Sequence, residues 1–421
     1  MSSFKRFAIY SLSFFSLLLG LALGENSSGG ARIDFEYLFP YVEGFSLSFK
    51  NGMESYTSNT ASIIHSPIFY ILMSFIYKLT DSTIPTIIFY IFLCSFLPLI
   101  FFFILRDKFR INKDVLFIFS LIIFLSPYFR SSAIWLLGDN LSLIFFGLSI
   151  FYFNKVNELN NDNFKNYFLC LFFLILCCYI RYYYCLFSLY YLYFFYKNLQ
   201  KKYFLLLVTS LLILTFPAIF YFYLIFLNYD FGTTVTNYSQ FNIYRNSLII
   251  LSILLFYLIP FCILQKNLLL EHIKNNKKVI LIFLILYLII FFIGQFFFTN
   301  LINFSSRGGG VFMKIANLNN TNPLLFLSST SFVSLIVLDF FFKEKRFENY
   351  SLLIILILTF PIYTIYQKYF DPLFFLFFFG LVKSSELKNI LLKGKNFLIP
   401  TFIYFSFFYF FSLIYYSKGF N

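Results

Sequence analysis

The sequence predicts an all-α polytopic membrane protein, for reasons of composition and of pattern. Of the 421 residues, 60% are hydrophobic, 25% are aromatic and only 12% are charged, which is more apolar surface than a soluble fold can bury. In lipid, only α-helices and closed β-barrels satisfy all their backbone hydrogen bonds. The apolar runs here are long and unbroken, whereas barrel strands are segments of about ten residues with alternating polarity. We therefore predict a helical bundle.

The first apolar run, residues 7–23, follows Lys5-Arg6 and is interpreted as a retained first helix, with a cleaved signal peptide as the alternative. Twelve further spans are predicted, several of them shorter than the roughly 20 residues that a perpendicular helix needs. They lie near residues 84–105, 115–133, 140–153, 167–180, 182–197, 203–227, 247–264, 279–298, 324–342, 350–366, 373–383 and 397–416. The apolar but short segment 66–79 is predicted to lie along the outer face of the membrane.

The distribution of positive charge favours 13 transmembrane helices, with the amino terminus inside and the carboxyl terminus outside. The net charge is +14, and 22 of the 32 Lys and Arg residues fall in loops that this topology places inside, as the positive-inside rule requires. If segment 66–79 crossed the membrane, every later loop would change sides and the bias would be lost. Because the charge lies in short loops between apolar runs, the sequence also argues against a nucleic-acid partner.

The chain is predicted to form a single integral membrane domain, residues 1–421, in which an extracytoplasmic loop, 24–80, precedes a helix bundle, 84–421. The loop is the longest segment that is not plainly membrane-spanning, and it contains one of the two histidines and several acids. We expect it to contain interfacial helices and to carry the chemistry. The six cysteines lie inside apolar runs without metal or disulfide spacing, so they are interpreted as small core residues.

Three candidate site residues lie in this loop. Asp34 and Glu36 would share one side of an extended segment, where two carboxylates suit a general base or a site for a divalent cation, Mg²⁺ or Mn²⁺. The alternative is a solvated acidic loop. His65, two residues before Pro67, stands at the start of an apolar helix. It is a candidate ligand for phosphate or metal, and an ordinary polar residue at a helix start is the alternative.

An acid and two arginines lie at predicted outer helix ends beyond the loop. Asp139 opens a span on the outer side, where the helix macrodipole gives an acid an ordinary explanation. Arg130 is near it in sequence and is a further candidate. Arg181 lies at the tight turn of a hydrophobic hairpin. A charge at membrane depth indicates function, and snorkelling to the interface is the alternative interpretation.

Two further cations are candidates for holding a phosphate group. Lys368 lies at another predicted outer helix end, where Asp371 would orient it toward a lipid phosphate, with a simple salt bridge as the alternative. Arg307 precedes three glycines, so a flexible loop brings backbone N–H groups and a guanidinium onto an anion. Together, the acids and cations gather on one predicted face of the membrane around the first loop.

The order of these strings resembles the GT-C-type membrane glycosyltransferases that use polyprenyl-phosphate sugars. In that superfamily, a long first external loop carries an acidic motif soon after the first helix, here Asp34-x-Glu36. A His-Pro-type string then opens an interfacial helix, here His65-Ser66-Pro67. Many members have His-Pro-Pro at this point, so the departure affects the role of His65 more than that of Asp34.

Later strings extend the resemblance over most of the chain. A Pro…Asp string begins a span, here Pro127 to Asp139. The string from Gln367 to Leu373 and the arginine Arg181 look similar to the dolichyl-phosphate-glucose-dependent glucosyltransferases of lipid-linked oligosaccharide assembly. All of these motifs are short and degenerate, so the resemblance is one of layout.

The resemblance implies an inverting hexosyltransferase that moves a sugar from a polyprenyl-phosphate donor to a glycan, lipid or protein acceptor. Asp34 would be the base on the acceptor hydroxyl, and Arg181, Arg307 or Lys368 would hold the leaving phosphate, where fixed positive charge is needed. The remaining candidates are Glu36 and Asp139 for catalysis, His65 and Arg130 for the phosphate, and Asp371 in support. We expect a bacterial inner membrane with the active site on the periplasmic side.

Three other functions are kept as alternatives. An O-antigen or capsule polymerase also has many spans and external arginines, but its large loop more usually lies in the middle or second half of the chain. A flippase or transporter predicts ionisable residues near the middle of spans and two related halves, and the sequence shows hardly any mid-span charge and no internal symmetry. A structural membrane subunit would make the outer charges incidental.

Overall fold

The computed structural model describes residues 1–58, 66–159, 163–228, 242–298, 308–319 and 321–417. Within these ranges the chain is helical and contains no β-strand, which confirms the predicted all-α class. The chain divides into two compact units. The first comprises Met1–Thr234 and Phe402–Asn421, and the second comprises Val235–Thr401.

The described part of the first unit contains twelve α-helices, two 3₁₀ segments and the end of the last helix of the chain. The helices are α1 Ser3–Ala22, α2 Ala31–Leu47, α3 Phe49–Thr57, α4 Ile68–Thr80, α5 Thr83–Cys94, α6 Phe96–Phe109, α7 Lys113–Ser120, α8 Pro127–Ile134, α9 Asp139–Leu159, α10 Phe164–Ile180, α11 Phe187–Asn198 and α12 Lys201–Asn228. The 3₁₀ segments are Leu121–Leu125, which follows α7, and Tyr182–Leu186, which precedes α11.

The second unit is built on one deeply buried helix, Ile243–Leu264. Its helices are α13 Ile243–Leu264, α14 Lys266–Asn275, α15 Lys277–Phe298, α16 Gly310–Leu318, α17 Pro323–Phe342, α18 Arg346–Leu358, α19 Leu373–Phe375, α20 Ser385–Leu392 and the start of α21 Lys395–Ser417. A 3₁₀ turn, Gln367–Tyr369, precedes α19, and a π-helix, Leu376–Leu381, continues it. Helix α13 packs along α17, where the hydroxyl oxygens of Ser252 and Thr330 are 2.7 Å apart.

Six helical segments among the described residues are long and apolar enough to cross a membrane, which agrees with a helical membrane protein. They are Ser3–Ala22, Thr83–Phe109, Lys201–Tyr221, Ile243–Leu264, Pro323–Phe342 and Lys395–Ser417. A bent pair, Lys113–Leu125 and Pro127–Ile134, makes a seventh if its two halves form one span. Thirteen spans and their orientation across the membrane stay predictions.

The bend in that pair, 65°, has a local cause. Pro127 has no backbone N–H and occupies the first turn of α8, a position that proline favours. Ser126 caps the same helix, because its Oγ accepts a hydrogen bond from the backbone N–H of Phe129 at 3.0 Å. The sequence therefore begins a new helix at this point instead of continuing the old one.

Several predicted spans are not among these segments, and for two of them the structure shows why. Helix α18 ends at Leu358, although the apolar run continues to residue 366, because Pro361 lacks an N–H and disfavours helical geometry in the residue before it. The run 373–383 forms only the single turn of α19 and the π-helix Leu376–Leu381. At 1.5 Å per residue, this segment is too short to cross a bilayer.

The described part of the loop 24–80 contains three helices, which meet at three tyrosines. Tyr41 of α2, Tyr56 of α3 and Tyr70 of α4 are all buried. Their ring centroids are 5.2 Å apart between Tyr41 and Tyr56, 5.3 Å between Tyr41 and Tyr70, and 5.9 Å between Tyr56 and Tyr70. Aromatic pairs at such separations stabilise a fold by about 0.5–1.5 kcal/mol beyond the area they bury. The loop is thus a packed element of the first unit.

A buried ion pair connects the start of this loop to the helices around it. The Glu25 and Arg130 side chains are each 5% exposed, with Arg130 Nη2 2.6 Å from Glu25 Oε2. Arg130 Nη1 and Nη2 also donate to the side chain and the carbonyl of Ser16, both at 2.9 Å. Tyr409 of α21 donates to Glu25 Oε2 at 3.0 Å, and its ring lies 4.9 Å from the guanidinium carbon. Both charges are therefore compensated inside the protein.

Neutral groups complete the same network. The Ser27 hydroxyl lies 3.1 Å from Glu25 Oε1 and 2.7 Å from the carbonyl oxygen of Pro127, and its single O–H can donate to either. The indole N–H of Trp135 donates to the carbonyl oxygen of Glu25 at 2.8 Å. Because side chains from α1, α8 and α21 meet here, the pair fixes the chain where the loop begins.

We predict that Arg130→Gln lowers the free energy of unfolding by about 3–5 kcal/mol, because it leaves the Glu25 carboxylate buried without a cation. The exposed Arg32–Glu36 pair is the matched control, and Arg32→Gln should cost less than about 1 kcal/mol. The unfolding of the purified full chain in detergent is measured for Arg130→Gln, for Glu25→Gln, for the double variant and for Arg32→Gln. The first three give the coupling energy between Glu25 and Arg130. Equal losses at the two arginines would contradict the prediction.

Candidate functional site

Asp34 and Glu36 lie on helix α2, so the predicted extended segment is wrong at this point. Residues two apart on an α-helix point about 200° apart around its axis, and the two carboxylates therefore do not share a face. Glu36 is 60% exposed and pairs with Arg32 one turn earlier, with Arg32 Nε 3.1 Å from Glu36 Oε1. Asp34 is partly buried. The structure thus separates an exposed, paired Glu36 from a more enclosed Asp34.

Asp139 and Arg181 form a two-point salt bridge. Asp139 begins α9 and Arg181 follows the end of α10, so the packing of these consecutive helices brings the two residues together. Arg181 Nε is 2.9 Å from Asp139 Oδ1, and Arg181 Nη2 is 3.0 Å from Asp139 Oδ2. This fork geometry is the strong form of an arginine–carboxylate contact. It engages two of the three guanidinium nitrogens and leaves Nη1 for another acceptor.

Tyr70 connects this salt bridge to Asp34. Burial raises the pKa of the Tyr70 phenol above its ordinary value, the Arg181 cation acts to lower it, and the carboxylates of Asp139 and Asp34 add to the rise. A phenol is affected by such charges only when they are close to it. The charges of Asp34, Asp139 and Arg181 therefore all lie within electrostatic range of Tyr70, and we call these four residues, from α2, α4, α9 and the end of α10, the Tyr70 cluster.

The chemistry that this cluster offers is specific. It places a partly buried carboxylate, a neutral phenol and a guanidinium held by a second carboxylate in one region of the first unit. A carboxylate of this kind can take a proton, and a guanidinium can stabilise negative charge that develops on a neighbouring group. The phenol can both donate and accept a hydrogen bond.

Arg130 is not part of the Tyr70 cluster. Its five N–H groups are directed at acceptors of the protein itself, which are the carboxylate of Glu25, the hydroxyl and carbonyl of Ser16 and, at 3.5 Å, the carbonyl of Phe124. The expected role of Arg130 in binding phosphate therefore does not fit its geometry. Its contacts are those of a residue that holds helices together.

The glycine-rich stretch and Lys368 come together in the second unit. Gly309 donates its backbone N–H to the carbonyl of Ile365 at 2.8 Å, and Val311 donates its N–H to the side-chain oxygen of Gln367 at 2.9 Å. Lys368 is next in the chain, with its Nζ 5.5 Å from the centroid of the Tyr366 ring. The described glycines thus pack on the segment that carries Lys368.

Asp371 is buried in this unit, 2% exposed, three residues after Lys368. Two other candidates, His65 and Arg307, lie outside the described residues. Among the described residues, no three His, Cys, Asp or Glu side chains come together as a metal site.

Arg245 is a residue whose role the sequence did not indicate. It is 1% exposed at the start of α13, donates through Nη2 to the carbonyl of Tyr363 at 2.6 Å, and stacks 4.2 Å from the Tyr363 ring. The next residue, Asn246, donates to the carbonyls of Phe360 and Ile362 at 3.2 and 2.9 Å. Together they hold the irregular segment that leads to Lys368. The signal in the sequence that could have indicated this role was an arginine at the start of an apolar segment.

No protein-family model, curated protein or solved structure matches this chain. The likeness to the GT-C-type glycosyltransferases is therefore carried by the short strings quoted above. The geometry of the Tyr70 cluster is an independent basis for a functional argument, because it follows from packing and charge in this chain.

We predict that Gly308→Ala destabilises the second unit more than Gly24→Ala destabilises the first. Both glycines have left-handed backbones, with φ of 91° and 62°, so alanine costs about 1–2 kcal/mol at either position. A Cβ on Gly308 would also lie 2.8 Å from the carbonyl oxygen of Ile365, whereas one on Gly24 would meet nothing within 4 Å. Unfolding in detergent should show a further loss of about 1–3 kcal/mol for Gly308→Ala, and equal losses would contradict this.

Proposed function

We propose that the protein is an inverting glycosyltransferase that moves a sugar from a polyprenyl-phosphate donor to a glycan, lipid or protein acceptor. The observation that carries the proposal is the Tyr70 cluster. Such a transfer needs a base near the acceptor hydroxyl and fixed positive charge near the leaving phosphate, and this cluster contains Asp34 for the first and Arg181 for the second. The resemblance in layout to the GT-C-type enzymes supports the same reaction.

The proposed step balances with these two residues. The acceptor oxygen attacks the anomeric carbon of the sugar from the face opposite the phosphate, so an O–C bond forms as the C–O bond to the phosphate breaks. Asp34 takes the proton of the acceptor hydroxyl. The bonding electrons go to the phosphate oxygen, and Arg181 stabilises the charge that develops there.

Asp34 is a better candidate for the base than the other two acids considered, because of the surroundings of each carboxylate. Glu36 is exposed and paired with Arg32, so water already solvates it. Asp139 accepts both hydrogen bonds of the Arg181 fork, so both of its carboxylate oxygens are already engaged by a cation. We therefore assign Asp139 a positioning role, in which it holds Arg181 with Nη1 directed at a ligand.

The position of the reaction in the cell is part of the proposal. We propose a GT-C-like layout with fewer than the 13 spans expected from the sequence, since the run 373–383 is too short to cross, and with the loop 24–80 on the periplasmic side of a bacterial inner membrane. A membrane donor removes the need for a nucleotide-sugar domain, because a polyprenyl phosphate brings its sugar to the interface. Arg307, Lys368 and His65 stay candidates for additional phosphate contacts.

We predict that Asp34→Asn lowers turnover about 10²–10⁴-fold, the usual contribution of a general base, and that Glu36→Gln leaves it within about twofold. The measurement is acceptor-dependent release of polyprenyl phosphate by the purified protein in nanodiscs, with a panel of undecaprenyl- and dolichyl-phosphate hexoses. Equal losses in the two variants would remove Asp34 as the base. Absence of turnover with every donor, in a protein that binds a lipid-linked oligosaccharide, would favour a polymerase or flippase.

We also predict that Arg181→Gln weakens inhibition by the product, polyprenyl phosphate, roughly tenfold or more, because it removes a charge-assisted hydrogen bond to phosphate. The double variant Arg181→Gln with Asp139→Asn tests the same loss without an unpaired carboxylate. Arg32→Gln is the control, since it removes one positive charge from an exposed pair on α2. If Arg32→Gln weakens inhibition as much as Arg181→Gln, the phosphate responds only to overall charge and the assignment is wrong.

A further inference from the structure

The second unit contains a cavity that the proposed reaction does not use. Its volume is about 340 Å³, and it lies beside helix α18. Its lining residues are Asp339, Arg346, Phe347, Tyr350, Ser351 and Ile354. Positions 347, 350, 351 and 354 follow the spacing of one helix face, so most of the cavity wall is a single stripe of α18.

The two residues at the ends of this stripe are apolar and exposed. Phe347 is 70% exposed and Ile354 is 57% exposed, and they are two turns apart on α18. In a membrane protein, such a face is covered by hydrocarbon, since neither side chain can form hydrogen bonds with water. The geometry fits one extended acyl chain along the helix.

The cavity has a charged end, which is ordered by Asp339. Asp339 Oδ2 is 3.1 Å from His272 Nε2 and 3.2 Å from Arg346 Nη2, and Asp339 Oδ1 accepts the hydroxyl of Tyr350 at 3.1 Å. Three donors therefore surround one buried carboxylate and compensate its charge. Their effect is to hold Arg346 and Tyr350 at the mouth of the cavity.

Arg346 has donors to spare at this position. Its side chain is 46% exposed, and its one polar contact in the described structure is from Nη2 to Asp339, which leaves Nε and Nη1 to donate to other acceptors. The preceding residue, Lys345, is exposed, and α14 and the residues after it add the exposed cations Lys274, Lys277 and Lys278. The polar end of the cavity thus lies in a region with an excess of positive charge.

We propose that this cavity binds a membrane lipid with an anionic phosphate headgroup, with the phosphate on Arg346 and one acyl chain along Phe347 and Ile354. A basic rim beside an apolar wall is the combination that recognises such lipids. In the topology predicted from the sequence, these loops are cytoplasmic, and anionic lipids are enriched on that side of many membranes. This inference does not depend on the glycosyltransferase proposal.

The test measures binding of dioleoylphosphatidylglycerol to the purified full-length protein in detergent, by native mass spectrometry and by the shift in melting temperature. Dioleoylphosphatidylcholine and inorganic phosphate are the comparison probes. We expect phosphatidylglycerol alone to raise the melting temperature. Arg346→Gln should weaken its binding roughly tenfold, because a charge-assisted contact to phosphate is lost, while Lys345→Gln, which removes the same charge one residue earlier, should retain most of it.

Ser351→Trp keeps the test decisive if Arg346→Gln does not fold. Ser351 lines the cavity, and its hydroxyl donates only to the carbonyl of Phe347 one turn earlier. A tryptophan there would fill the cavity without touching the Asp339 contacts, and it should abolish phosphatidylglycerol binding. Equal binding of phosphatidylcholine would overturn the role of the headgroup. Retention of phosphatidylglycerol binding in Ser351→Trp, with inorganic phosphate as effective as the lipid, would overturn the lipid itself.

Discussion

The buried pair of Glu25 and Arg130 determines where the first loop begins. A charge inside a protein that lies in lipid is costly unless an opposite charge and further hydrogen bonds compensate it. Trp135 is bound to the carbonyl of Glu25, and it in turn contacts Phe35 of α2, with ring centroids 5.9 Å apart. The position of α2, and with it Asp34, therefore depends on an ion pair that takes no part in the proposed chemistry.

The helical class was predictable because hydropathy reports how apolar a segment is. Hydropathy does not report whether lipid or protein surrounds that segment. For this reason some apolar runs that were predicted as membrane spans are not spans in the structure. Every residue from 371 to 382 is buried inside the second unit, so a core segment and a membrane span have the same composition here. The break at Pro361 and the bend at Pro127 were visible as prolines, but their consequences depend on packing.

The candidate site was predictable in its residues and not in its geometry. Asp34, Asp139 and Arg181 were all found from the sequence, since charged residues beside apolar runs are rare. Arg130 was associated with Asp139, which is near in sequence, while its partner Glu25 is 105 positions away. Tyr70 gave no signal, because one tyrosine among 34 in so aromatic a chain does not stand out.

The arginines discussed above carry the same charge. They differ in how many of their N–H groups are bonded to the protein itself. All five N–H groups of Arg130 meet protein acceptors, which makes it part of the framework. Arg245 is buried among neutral partners and secures a backbone segment. Arg181 and Arg346 each bond through part of the guanidinium to one aspartate, which fixes its direction. A guanidinium fixed in this way loses little entropy when an anion binds, which is why both proposals place a phosphate on these two arginines.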